Sequence, residues 1–210
     1  MEFLTPAVVL VAVALLAVLV WMGLPKGPSL KQVKHLADPH VTEMEPQKVL
    51  LVEARGDPNV VGKKAFGLLM KTYFRLKGVP KGGPSFKPPR ARWHVDPQKP
   101  LEEWTGLYAM PVPDSVTEVP AVGGEGGLSM ELATWAYGTV AQVLHVGPWD
   151  QETDTILSLK EFIRTQGFEI SGLHEEEYLK GPGMFFMGNP ERYLTLIRYP
   201  VRKAEGGAGE

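Results

Sequence analysis

The chain has 210 residues, 44% of them hydrophobic, and a formal charge of −2. That is room for one domain of ordinary size with extensions, and its scattered basic residues exclude a nucleic-acid partner held by overall charge. It contains no cysteine, which excludes disulfides, thiolate metal sites and a thiol nucleophile.

From Ala7 to Leu24 there is no charged residue, a run long enough to span a bilayer as a helix. Pro6 suits the first turn of that helix and Trp21 an interfacial position. A cleaved signal peptide would have a basic start, a shorter apolar core and small residues at the cut. Here the run is preceded by Glu2 and ends in Trp21-Met22-Gly23-Leu24-Pro25, so residues 1–24 read as an uncleaved transmembrane anchor. Lys26, Lys31 and Lys34 follow the span and no Lys or Arg precedes it. The positive-inside tendency then makes this a single-pass membrane protein with its soluble part on the cytoplasmic side. Residues 25–40 read as a juxtamembrane linker.

The soluble domain is expected over 41–203. Lys48 to Ala54 is strand-like. Asp57-Pro58 is an N-cap followed by proline at the first helical position. The helix is expected to run to about Leu76, with Val61, Ala65, Leu68, Leu69, Thr72 and Tyr73 on its buried side. A Gly/Pro-rich loop over 78–89 leads to strand-like runs at 91–95 and 103–112, and 114–128 is a linker by composition. The order then repeats. Leu132 to Val146 is strand-like with a break at Tyr137-Gly138, Asp150 is the expected cap of a helix over 151–166, and strand-like runs at 168–179 and 192–201 follow. Residues 204–210 read as a disordered tail.

The two halves, about 41–113 and 129–203, share residues as well as order. Val49 to Gly56 aligns with Val140 to Gly147, and each strand ends in glycine before an aspartate and the helix. Ala91 aligns with Glu176, Trp93 with Tyr178, and Met110-Pro111-Val112 with Tyr199-Pro200-Val201. Alternation then assigns strand faces. Leu107, Leu194 and Leu196 are expected to pack on the helices. The opposite, open face would carry Trp104, Gly106, Tyr108 and Met110 from one half and Tyr193, Thr195, Ile197 and Tyr199 from the other.

Three segments, His145-Val146-Gly147-Pro148-Trp149, Glu176-Glu177-Tyr178-Leu179 and Ile197-Arg198-Tyr199-Pro200-Val201, resemble the GyrI-like superfamily, the fold of effector-binding domains in some bacterial transcription activators. The resemblance covers about residues 41 to 203. It implies an α+β fold in which duplicated strand–helix–strand–strand modules form one antiparallel sheet with two helices on one face. It also implies a ligand groove between the halves, where the glutamate of an acid-x-Tyr pattern contacts cationic aromatic ligands. By motif match that glutamate is Glu176, with Tyr178 beside it. No helix-turn-helix precedes the domain, so a DNA-binding activator is not expected. In its anchor the chain is similar to the membrane-anchored testis-expressed branch of the superfamily, a receptor for selective autophagy of endoplasmic reticulum. That branch relies on a long acidic tail, which 204–210 does not match.

The expected ligand-binding set is Glu176, Tyr178, Trp93, Trp104, Tyr108 and Tyr193. A carboxylate partly shielded by aromatic rings is costly to bury unpaired. A small hydrophobic or cationic ligand relieves that cost, with cation–π attraction of about 0.5–2 kcal/mol per ring. The alternative is that Glu176 pairs with an Arg or Lys and the rings merely pack. None of the five histidines forms an i, i+4 pair, so no metal site and no cofactor are expected. Gly123 to Gly127 lacks a following Lys-Ser/Thr, and there is no Gly-x-Ser-x-Gly elbow. An enzyme is the lesser reading: some superfamily relatives hydrolyse reactive cyclopropane-containing compounds, and Glu176 would then be a general base. A membrane-tethered protein-interaction module is the third; the sequence names no protein partner.

Overall fold

The computed structural model describes residues 27–83, 85–94, 100–120, 127–182 and 188–204. The expected anchor at 1–24 and residues 205–210 of the tail lie outside them. Among the described residues no helix is long and apolar enough to cross a membrane. Within 25–40, a helical turn at Leu30–Val33 buries Val33 against Leu144 and Leu194.

Among the described residues nine strands and two longer helices follow. The first half contains β1 (His40–Met44), β2 (Gln47–Arg55), α1 (Pro58–Tyr73), β3 (Arg90–His94) and β4 (Thr105–Pro111). The second contains β5 (Glu131–Trp135), β6 (Gly138–Val146), α2 (Thr153–Thr165), β7 (Phe168–Ile170), β8 (His174–Lys180) and β9 (Leu194–Lys203). All pairings are antiparallel, in the order β1-β6-β9-β8-β3-β4-β2-β5, with β7 beside β9.

The register is equivalent at matched positions of the two halves. Val49 pairs with Pro111 as Val140 pairs with Pro200, and Ala91 pairs with Tyr108 as Glu176 pairs with Ile197. Ala91 and Glu176, equivalent in the repeat, lie directly opposite each other where β3 meets β8. Gly56 and Gly147 end equivalent strands with φ of 136° and 142°, a backbone region open to glycine and strained for other residues.

The outer strands explain why the sheet is curled. β1 runs into β2 through Glu45-Pro46, yet β1 pairs with β6 at one end of the order and β2 with β5 at the other. The register runs through both breaks unchanged: His40 opposes Gln142 and Met44 opposes Gly138, then Gln47 opposes Trp135 and Leu51 opposes Glu131. β1–β2 and β5–β6 are therefore two bent strands forming one ribbon that crosses from edge to edge, which requires the sheet to bend over.

The helices cover the face that alternation had left open. Leu50, Val52, Ala91, Tyr108 and Met110 pack with Ala65, Leu68 and Leu69 of α1, and Ala141, Val143, Ile197 and Tyr199 pack with Leu159 and Ile163 of α2. Leu107 belongs to a different cluster, with Val49, Ala109 and Trp135 on the other side. The expected face assignment is thus reversed. Both faces carry buried apolar clusters because the curl covers the second one as well, so apolar residues alone do not say which face carries the helices.

The curl encloses charge. Leu107, Arg92, Glu175, Arg198 and Gln142 form one row across five strands. Glu175, 1% exposed, is 2.6 Å from Arg198 Nη1 and 2.7 Å from Arg92 Nε. Glu177 accepts from Arg198 Nη2 at 2.7 Å and lies 3.2 Å from Arg90 Nη2. The Tyr137 hydroxyl, at the ribbon break, accepts from Arg90 Nη1 at 2.6 Å and donates to Glu175 at 3.0 Å. Arg92 stacks 4.0 Å from the Trp135 ring centre. Burial pushes the Glu177 carboxyl up, but Arg90 and Arg198 outweigh it and hold it below its ordinary value. Glu175 and Glu177 are thus the fastening of the two halves, on the face away from the helices.

A groove over the strand junction

A groove lies on the helix-bearing side, where β3 meets β8. Each helix borders it with residues four apart: Pro58, Gly62, Phe66 and Met70 on α1, and Glu152, Ile156 and Lys160 at and after the start of α2. Residues so spaced share one helix face. The groove floor comes from Trp93, Tyr108, His174, Glu176, Tyr178 and Tyr199.

α1 begins as its sequence predicts: Asp57 Oδ1 accepts from the Asn59 amide at 2.9 Å, and Pro58 holds the first turn. α2 begins differently. Trp149–Gln151 forms a 3-10 turn and the helix starts at Thr153, so Glu152, not Asp150, is the capping residue. The Glu152 side chain makes no cap hydrogen bond. It is 6% exposed and lines the groove, and its Oε1 has no hydrogen-bond partner. Burial, and next the Glu176 carboxylate, push its carboxyl up to about 9.

Glu176 is held by two neighbours. Tyr178 donates its hydroxyl to Oε2 at 2.8 Å, and His174 Nε2 lies 3.0 Å from Oε1. His174 Nδ1 is in turn 2.9 Å from the Tyr199 hydroxyl. No Arg or Lys forms an ion pair with Glu176 or Glu152 among the described residues. Burial, followed by the Glu176 charge, raises the hydroxyls of Tyr108 and Tyr199 to about 12 each and that of Tyr178 well above its ordinary value. These tyrosines are neutral donors at physiological pH.

The rings meet edge to face. Phe66 lies 5.1 Å from Tyr108 and 5.6 Å from Tyr178, Trp93 lies 5.4 Å from Tyr108, and Trp149 lies 5.4 Å from Tyr178. Tyr108 fits because two neighbours lack side chains: a Cβ on Gly106 would come within 2.7 Å of its ring, and one on Gly62 within 3.3 Å. The Tyr108 hydroxyl and Trp93 Nε1 are buried without hydrogen-bond partners.

Of the six residues expected to bind ligand, Glu176, Tyr178, Trp93, Tyr108 and Trp104 line this groove. Tyr193 does not; it is 3% exposed and lies behind Trp149, with ring centres 5.3 Å apart. Phe66, Glu152, His174 and Tyr199 were not in that set. The i, i+4 stripes on α1 and α2 were the available signal for Phe66 and Glu152. For His174 and Tyr199 it was membership of the Glu176 face.

No protein-family profile and no curated protein sequence matches the chain. Solved structures do. A hydrolase from Listeria innocua is 23% identical over 82% of this chain and 98% of its own, with a TM-score of 0.66. The EcmrR C-terminal domain is 17% identical over 80% of this chain and 99% of its own, with a TM-score of 0.58. EcmrR in a complex with DNA is 16% identical over 83% of this chain and 62% of its own, with a TM-score of 0.59. At these identities the likeness is one of fold. The shared fold is an α+β unit with one curled antiparallel sheet and few helices.

Proposed function

We propose that the chain is a membrane-anchored binding protein for small cationic aromatic molecules, held in the groove over Glu176. The observation that carries this is a pair of carboxyl groups, Glu152 and Glu176, walled by aromatic rings and lacking any Arg or Lys ion pair among the described residues. The alternative pairs Glu176 with an Arg or Lys; its hydrogen-bond partners here are His174 and Tyr178. A bound cation offsets the desolvation of these carboxyls, and the rings add cation–π attraction. The EcmrR and Listeria structures support a fold able to hold such a groove. A rhodamine-class cation titrated into the protein should bind roughly tenfold or more tighter than a neutral analogue of the same shape, about 1.4 kcal/mol. Equal affinities would remove charge from the reading.

A second reading is hydrolysis of an electrophilic ligand. It is favoured by the meeting of two carboxyl groups with the unpartnered Tyr108 hydroxyl in one groove, the equipment for proton transfer to and from a bound molecule. Time-dependent consumption of an electrophile, as opposed to saturable binding, distinguishes it.

The apolar segment Ala7–Leu24 would hold the groove near the cytoplasmic face of a bilayer. Alkaline carbonate extraction should then leave the chain in the membrane pellet; release into the supernatant would overturn the anchor.

A further inference from the structure

We propose that Glu152, His174 and Glu176 form a binding site for one first-row divalent cation, with Zn2+ the fitting probe. No metal motif exists in the sequence, because the three ligands come from two elements: the start of α2 and alternate positions of β8. Their ligating atoms all lie within 4.8 Å of one another. His174 Nε2 and Glu176 Oε1 are 3.0 Å apart, somewhat under the roughly 3.3–3.6 Å between neighbouring ligand atoms that tetrahedral zinc bonds of about 2.0–2.2 Å imply. Binding would require the Glu152 carboxyl to close the remaining distance.

The outer contacts are those a metal site needs. In the tautomer whose Nδ1–H donates to the Tyr199 hydroxyl, His174 Nε2 is free to ligate, and Tyr178 holds the second oxygen of Glu176. Such partners orient ligands before the ion arrives. Two further observations point to a missing partner in the groove. Glu152 Oε1 is buried without a hydrogen bond although its residue is 6% exposed. The Tyr108 hydroxyl, on a residue 1% exposed, is also without one. Three protein ligands leave a fourth position open to the groove, the arrangement zinc adopts where it binds a water or a ligand. An imidazole nitrogen favours Zn2+ over Mg2+, which demands near-octahedral oxygen coordination and dehydrates reluctantly. The site goes beyond the organic-cation reading and does not rest on it; the two ligands would compete for Glu176.

The test uses the full chain in detergent, stripped with a chelator and titrated calorimetrically with ZnCl2 and, separately, MgCl2. One equivalent of Zn2+ should bind, with Mg2+ at least tenfold weaker. Glu152→Gln and His174→Gln should each weaken Zn2+ at least tenfold while keeping native tryptophan fluorescence. Co2+ added to the unaltered protein gives a reading independent of variant folding: visible d–d bands of a four- or five-coordinate ion support the site. No saturable Zn2+ uptake, uptake unchanged in both variants, or a Co2+ spectrum like that of the aqueous ion would overturn it. Dye binding without zinc binding overturns the metal site and leaves the groove reading standing; zinc binding without dye binding does the reverse.

Discussion

Glu175→Gln should lower the unfolding free energy by roughly 3–5 kcal/mol, the cost of breaking a buried ion pair from one side. Three guanidiniums, Arg90, Arg92 and Arg198, face two carboxylates, Glu175 and Glu177, inside the curl. The cluster already carries one surplus positive charge, and Arg90 Nε and Arg92 Nη2 are buried without partners. Removing Glu175 raises the surplus to two and takes a partner from all three arginines at once. Arg92→Met should cost less, because it leaves the cluster neutral and Arg92 is the most exposed of the three, at 15% of its side chain. The order of the two urea midpoints is the measurement. If Arg92→Met is the more damaging, the charge count does not govern this interior. The same cluster sets a pH dependence. The Glu177 carboxyl is held below its ordinary value by Arg90 and Arg198. Its folded value lies below its unfolded one, so its contribution is in force above the ordinary carboxylate range and is lost as pH falls through the folded value.

Glu176→Gln should move binding and stability in opposite directions. Affinity for a lipophilic aromatic cation should fall roughly 10- to 100-fold, about 1.4–2.8 kcal/mol, because a charge that faces the ligand becomes a dipole. The fold should be unaffected or gain. Glutamine can accept from Tyr178 and donate to His174 in place of the present contacts, and its neutrality ends the repulsion with Glu152, one of the two causes that raise that carboxyl. Thermal unfolding and a dye titration on the same sample separate the roles. A lowered melting temperature with affinity within twofold of the unaltered protein would make Glu176 a structural residue and sink the binding role.

Much of the fold is legible in local sequence. Asp57-Pro58 marks the start of α1 because capping and proline geometry are local. The halves could be aligned because equivalent strands end in the same turn, at Gly56 and Gly147. Glu176 and Tyr178 were placed on one face because strand side chains alternate, and their 2.8 Å hydrogen bond follows from that. Tyr193 stands against Trp149, outside the groove lining: alternation places a residue on a face but does not say which neighbour stands in front of it.

The sequence by itself therefore determined the duplicated module, its helices and the acid beside an aromatic at the junction of the halves, since each depends on short-range spacing. Tertiary structure alone decided which sheet face the helices cover, because the curled sheet buries both faces and each carries apolar clusters. It alone brought Glu152 to Glu176 from the start of α2, and it alone made Glu175 and Glu177 the partners of three arginines. Contacts between residues far apart in the chain depend on how the sheet closes, and closure is set by the edge-to-edge pairing of β1–β2 with β5–β6.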